Sequence, residues 1–167
     1  TEAEDIWLIG HNKMALPAHV VAYDQETGFG LVQSLGKLDL PAAELGESFS
    51  VGLGDPVIVA SQGGGEEAVN AQVVSVREFA GSWEYLLDDA IFTIPAHPKW
   101  SGAGVFTQSG QLIGIGSLYI QQAIPGEEQI DGNMIVPIDI LKPIYDDLLT
   151  QGRPDKPPRP WLGMTTA

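Results

Sequence analysis

Turn-forming residues cut this chain into short apolar runs, and a single stretch is regular enough to be a helix of any length. Twenty glycines and 12 prolines in 167 residues leave few places where a helix can propagate, since glycine costs backbone entropy and proline removes a donor N–H. The runs between them are rich in Val, Ile, Leu and Phe, which suits strands. Asp5–Ile9 predicts a strand, residues 10–13 a turn, and Pro17–Tyr23 its antiparallel partner. Phe29–Gln33 follows the polar turn Asp24–Gly28, so three strands form a meander. Residues 37–54 mix Gly, Pro, Ser and acids and read as a loop. Pro56–Ser61, Ala68–Phe79, Trp83–Leu87, Ala90–Ile94 and Asn133–Val136 read as further strands, with Asp88-Asp89 as turn charges. From Pro137 to Gln151, Ile140, Leu141, Ile144 and Leu148 recur at helical spacing. Asp139 is placed to cap that helix, Pro143 falls early in it, and Gly152 ends it.

Charge and cysteine content remove several function classes. Eight Lys and Arg against 22 Asp and Glu give a formal charge of −14, a field that repels phosphate backbones and anionic lipid surfaces. Nucleic acid is not an expected partner. With no cysteine, a disulfide framework, a thiolate metal site and a cysteine nucleophile are all excluded. No apolar run approaches the roughly 18–20 residues that cross a bilayer, so no membrane insertion is expected. The acidic start Thr1-Glu2-Ala3-Glu4-Asp5 is unlike a signal peptide's basic leader, and Thr1, not an initiator, leaves room for a leader upstream. A hydrophobic share of 44% with 18% charged residues describes one globular unit, or two small barrels sharing a core.

The chemistry is expected at His97-Pro98-Lys99-Trp100-Ser101-Gly102-Ala103-Gly104-Val105-Phe106. There a serine stands between a bend-forming run and a small-residue run, and the chain then turns through Ser109-Gly110 into Leu112–Ile120. This is a hairpin with a hydroxyl at its entrance. The competing reading is a plain turn serine. Trp100 beside it reads either as the cap of a pocket or as packing. Gly63-Gly64-Gly65 is not a phosphate loop, because no Lys-Ser/Thr follows and Glu66-Glu67 would repel phosphate. Adjacent Asp88 and Asp89 on an extended chain point to opposite faces and share no site. His11, His19 and His97 are scattered without ligand-spaced acids, so neither a metal site nor a cofactor is expected.

Taken in order, these segments resemble the trypsin-like domain of the HtrA/Deg family of periplasmic and organellar serine proteases. Val20–Val32 resembles the family's segment VVG-D-x-x-T-D-x-A-V-L, Leu45-Gly46-Glu47-Ser48 its LGDS, and Val51–Ala60 its x-V-G-D-x-V-x-A-I-G. Lys99-Trp100-Ser101-Gly102-Ala103 stands where the family has Gly-Asn-Ser-Gly-Gly, and Gly110–Ile115 resembles the strand that follows. Met134–Asp139 is similar to FAIPID, and Pro160-Trp161-Leu162-Gly163 to the GWLG that opens a PDZ domain. The resemblance implies an all-β double six-stranded antiparallel barrel, the first lacking its opening strands, with a C-terminal helix. It divides the chain into an N-terminal barrel portion at 1–60, a C-terminal barrel carrying Ser101 at 61–136, a helix at 137–152, and a Pro-rich linker with the start of a PDZ domain at 153–167. Periplasmic or cell-envelope localisation follows from the same resemblance.

The family's roles carry over unevenly. Ser101 takes the nucleophile's position. Gly28 stands where the family has its aspartate, and a glycine orients no imidazole. Lys99 stands at the oxyanion glycine, where, with Ser101, a backbone N–H would face the substrate. The family's histidine falls upstream of Thr1. Loss of one oxyanion donor costs about a hundred- to a thousandfold in rate, and loss of the carboxylate about ten-thousandfold. Two functions compete: a degenerate homologue that binds a protein or peptide or regulates, and an active serine endopeptidase using Ser101 with a histidine from upstream. An unrelated β-barrel binding module is a third. The incomplete first barrel further implies exposed strand edges, covered by an upstream segment, another chain or self-association.

Overall fold

The computed structural model describes residues 5–10, 13–81, 86–126 and 129–157. Among these, nine strands form between the turn residues. Strands β1 (Ile6–Ile9), β2 (Ala15–Tyr23) and β3 (Gly30–Ser34) make an open antiparallel sheet in that order. Strands β4 (Pro56–Ala60), β5 (Val69–Ala80), β6 (Leu86–Ile94), β7 (Gly104–Thr107), β8 (Leu112–Ile120) and β9 (Gly132–Pro137) close into a barrel in the order β4-β5-β6-β9-β8-β7. A C-terminal helix, α1 (Tyr145–Gln151), follows. The mainly β fold with one closed six-stranded antiparallel barrel, a partner sheet and a terminal helix is the fold class expected from the sequence. The division at residue 60 needs moving, however. β4 pairs Val59 with Val69 on one side and with Val105 on the other, so this strand closes the C-terminal barrel.

Alternation puts Val57, Val59, Val73, Ile91, Val105, Ile113 and Ile135 inside the barrel. Each such side chain, taken out of water, contributes about 1.5–3 kcal/mol. A second core lies outside it, where Phe92, Met134 and Val136 meet Ile138, Leu141, Ile144 and Leu148. Ala22 of β2 and Phe29, just before β3, join this core, so the C-terminal segment is wedged between sheet and barrel.

Two local expectations differ from the structure. The helix foreseen over 137–151 is α-helical only from Tyr145, because Pro137 ends β9 and residues 138–140 and 142–144 form 3-10 turns. Pro143 has no N–H for an α-helical bond back to Asp139. Asp139 makes no cap either; its carboxylate accepts the Phe49 N–H at 2.8 Å. Gly152 ends the helix as expected, its N–H bonding to Leu148 C=O at 3.2 Å. Asp88 and Asp89, read as turn charges, lie within β6. The register shifts between Arg77–Ala90 and Phe79–Leu87, so two residues of β6 stand opposite one of β5. This bulge leaves both acids exposed. The turn at 11–12, the strand expected over Trp83–Tyr85 and the Trp161-Leu162-Gly163 motif lie outside the described residues.

Candidate functional site

Ser101 is exposed on the turn that leads from β6 into β7. That turn lies flat on β8: the Gly102 N–H bonds to Gly116 C=O at 2.9 Å, the Gly116 N–H to Ala103 C=O at 2.7 Å, and the Ala103 N–H to Trp100 C=O at 3.0 Å. Gly116 is required for so close an approach, since a Cβ there would run into the Trp100 carbonyl. Ser101, Trp100, Lys99 and Pro98 line a shallow hollow of about 260 Å³ with Ser61 and Gln62, the residues that follow β4.

His97 sits beneath the turn, 1% exposed. Its backbone N–H bonds to Asn133 Oδ1 at 2.7 Å, its Nδ1 accepts the Lys99 N–H at 3.0 Å, and its Nε2 lies 3.1 Å from Glu67 C=O. Accepting at Nδ1 places the ring proton on Nε2, which donates to the carbonyl. Both ring nitrogens are therefore engaged, and this imidazole takes no proton from Ser101. The Lys99 N–H, the donor expected at the oxyanion position, is already bound. The Lys99 ammonium pairs with the Glu67 carboxylate and reaches Gln62 C=O at 3.3 Å. The ammonium beside it holds the Glu67 carboxyl below the ordinary glutamate range.

The other expected residues lie apart from this cluster. Among the described residues the Ser101 side chain makes no hydrogen bond. Gly28 belongs to the β2–β3 turn, where its N–H bonds to Asp24 C=O at 2.9 Å with a φ of +77°. The left-handed backbone accounts for glycine at this point. Asp24 organises the turn, its carboxylate accepting the Thr27 hydroxyl at 2.7 Å and the Thr27 N–H at 3.1 Å. His19 is exposed on β2 opposite Gln33, and His11 lies outside the described residues. Among the described residues no group of three metal-ligating side chains occurs.

Two features were not anticipated. The first is a junction: the Asp139 N–H donates to Ser48 Oγ at 3.0 Å, Asp139 accepts from Phe49, and Lys142 pairs with both Asp139 and Glu47. Burial pushes the Asp139 carboxyl up, but Lys142, the Phe49 N–H and Ser48 together hold it below the ordinary aspartate range. The second is an open edge. The ladder of β8 with β7 ends at Gly104–Ile115, whereas its ladder with β9 continues to Gly132–Ile120. Among the described residues no strand covers the other side of Leu118–Ile120. An edge of that kind accepts an extended peptide as an added strand.

Comparison with known proteins agrees with this architecture. Residues 1–115 match the family model described as trypsin-like peptidase domain. A curated relative from Pseudomonas fluorescens, "Probable periplasmic serine endoprotease DegP-like", is 26% identical over 98% of this chain and 33% of its own length. The solved structure of the HtrA-type protease AlgW with decapeptide superposes with a TM-score of 0.72 at 21% identity, over 91% of this chain and 46% of that one. AlgW with tripeptide gives 0.70 at 22% identity, over 90% and 49%. The chain thus spans about a third of the curated relative it matches and about half of these solved structures. With its closed barrel, its open meander and the Ser101 turn, the chain belongs to the trypsin-like peptidase domain family and is similar in fold to HtrA-type proteases.

Proposed function

We propose that this chain is a degenerate HtrA-like module that binds extended peptide or protein segments and does not hydrolyse them. The observation that carries this reading is the Lys99 N–H bound to His97 Nδ1 at 3.0 Å. A donor spent on a buried ring does not receive an oxyanion, and its release leaves both His97 Nδ1 and the tie to the Glu67 turn disturbed. Gly28 at the aspartate position supports the same reading, for a triad without its carboxylate holds no imidazole in the required tautomer. Binding rests on the open edge of β8 beside the Ser101 turn. The AlgW structures bear peptides in their descriptions, and the curated relative is described as periplasmic; a periplasmic peptide binder is the corresponding reading here. Covering of the three-stranded sheet by an upstream segment or by a second copy belongs to the same proposal.

The second reading, an active serine endopeptidase, draws on the exposed Ser101 in a tight turn packed against β8. It needs a histidine from upstream of Thr1 and a rearranged Lys99 peptide. Intact-mass analysis after fluorophosphonate treatment, on the protein with its natural upstream segment and on Ser101→Ala, separates the two. The binding module gives no adduct in either protein. A single adduct in the parent that Ser101→Ala loses overturns it in favour of the enzyme.

A further inference from the structure

At the Ile120 end of β8 a guanidinium stands in an open groove. Arg77 of β5 lies over the Phe92 ring, its guanidinium carbon 3.6 Å from the ring centroid, and one amino group donates to Ala123 C=O at 3.1 Å. Phe79 leans on the same ring at a centroid distance of 6.4 Å. With Tyr119, Ile120 and Gln121 they line a groove of about 580 Å³. The Tyr119 hydroxyl is committed to Asp131, which pushes its pKa up. An arginine offers five N–H donors in a planar fork, and one of them is used by the carbonyl. Lys99, Lys142 and Lys156 all face acids, yet among the described residues Arg77 forms no ion pair. Burial pulls the guanidinium below the ordinary arginine value, as expected for a charge that has lost water.

We propose that this groove binds a carboxylate carried next to an apolar residue of an extended peptide. A single fork held by stacking matches one carboxylate in bidentate geometry. It does not match a phosphate-rich polyanion, which the charge of −14 repels. Phe79 and Ile120 supply the apolar wall for the neighbouring side chain, with Phe92 buried beneath Arg77. Tyr119 and Ile120 are also the last residues of β8, so a peptide added to the open edge at Leu118–Ile120 runs into the groove. The inference thus rests on the peptide-binding reading and names the peptide's chemistry. The long-range repulsion between an acidic protein and an acidic peptide is screened beyond about 8 Å at physiological salt, while the contact pair is not.

The test is fluorescence anisotropy at physiological salt with labelled peptides of one sequence. One carries Glu beside Leu, one carries Gln in its place, and each is made with a free or an amidated C-terminus. Titrations use the parent protein, Arg77→Lys and Arg77→Met, the last keeping apolar cover on Phe92. In the parent protein, loss of the recognised carboxylate weakens binding about tenfold; in Arg77→Met it changes nothing, and Arg77→Lys falls between. Sensitivity to the Glu identifies a side-chain carboxylate and sensitivity to amidation a terminal one. Equal binding of all four peptides to the parent overturns the carboxylate site and leaves peptide binding standing. A carboxylate effect that persists undiminished in Arg77→Met also overturns it. Absence of binding by every peptide removes the peptide-binding reading and this site with it. Should Arg77→Met fail to fold, the four peptides on the parent and the Arg77→Lys comparison decide.

Discussion

Lys99 anchors the Ser101 turn through two bonds of different worth. Its ammonium pairs with Glu67 at the surface, where the two side chains are 44% and 52% exposed, and exposed pairs contribute about 0–1 kcal/mol. Its backbone N–H enters the interior and meets a ring that is almost fully buried. Lys99→Ala is therefore expected to cost less than about 1 kcal/mol in urea unfolding. His97→Ala, which empties a buried site and orphans the Lys99 N–H and the Glu67 carbonyl, is expected to cost about 2–4 kcal/mol. A Lys99→Ala cost equal to that of His97→Ala would place the anchor in the ion pair instead. The ion pair also has a pH signature of defined sign. The Glu67 carboxyl is depressed in the folded protein, so its contribution is present above the ordinary glutamate range and is lost as pH falls through the folded value. Gly28 yields a companion expectation. Gly28→Asp restores a carboxylate but forces a side chain into a φ of +77°, a cost of about 1 kcal/mol. Lowered stability with no gain in fluorophosphonate reactivity is the expected result, since the Lys99 donor stays engaged.

Among the elements, the segment that leaves β9 decides how the pieces are joined. Asp139 is buried, accepts the Phe49 N–H, bonds through its own N–H to Ser48 and pairs with Lys142, so residues 47–50 are fastened to the approach to α1. Asp139→Asn keeps an acceptor for Phe49 but deletes the charge facing Lys142, an expected loss of about 2 kcal/mol in urea unfolding. The folded-state carboxyl is depressed and the Lys142 amine raised. Stability from the carboxylate is thus lost as pH falls through the folded aspartate value, and that from the amine as pH rises through the folded lysine value. From above the ordinary aspartate value to below the ordinary lysine value the contribution is flat. A parent stability profile that loses its acid limb in Asp139→Asn checks the assignment. Helical spacing in the sequence located the apolar face at Leu141, Ile144 and Leu148 correctly, but not the delayed start at Tyr145. The reason is that Asp139, a capping residue by local pattern, bonds instead to residues some ninety positions away in the chain. The Asp88-Asp89 bulge escaped for a similar reason, because register is a property of two strands and each was read singly.

At the scale of the whole molecule, the strands, their antiparallel order and the Ser101 hairpin were legible because glycine, proline and β-branched residues act locally. Barrel closure through β4 was not, since Val57 and Val59 read as a buried strand without naming their neighbours. The bonding within the Ser101 turn was not legible either: the roles of Ser101, Lys99 and Gly28 were expectations from position in a resemblance, whereas the bond from the Lys99 N–H to His97 required the folded turn. The open sheet carries a further consequence. Trp7 and Ile9 of β1 stand opposite Pro17 and Ala15 of β2, on one face, at 58% and 65% exposure. Large side chains so exposed on an edge strand invite cover. If a second copy of this chain provides it, sedimentation velocity of the 167-residue chain reports a species that grows with concentration into the high micromolar range. Trp7→Lys with Ile9→Lys then returns a single monomer at every concentration. Because β1 lies outside the closed barrel, the barrel's unfolding midpoint stays where it was. A parent chain that remains monomeric throughout this range assigns the face to another segment or another protein, since its own copy then contributes too little area to hold two chains together.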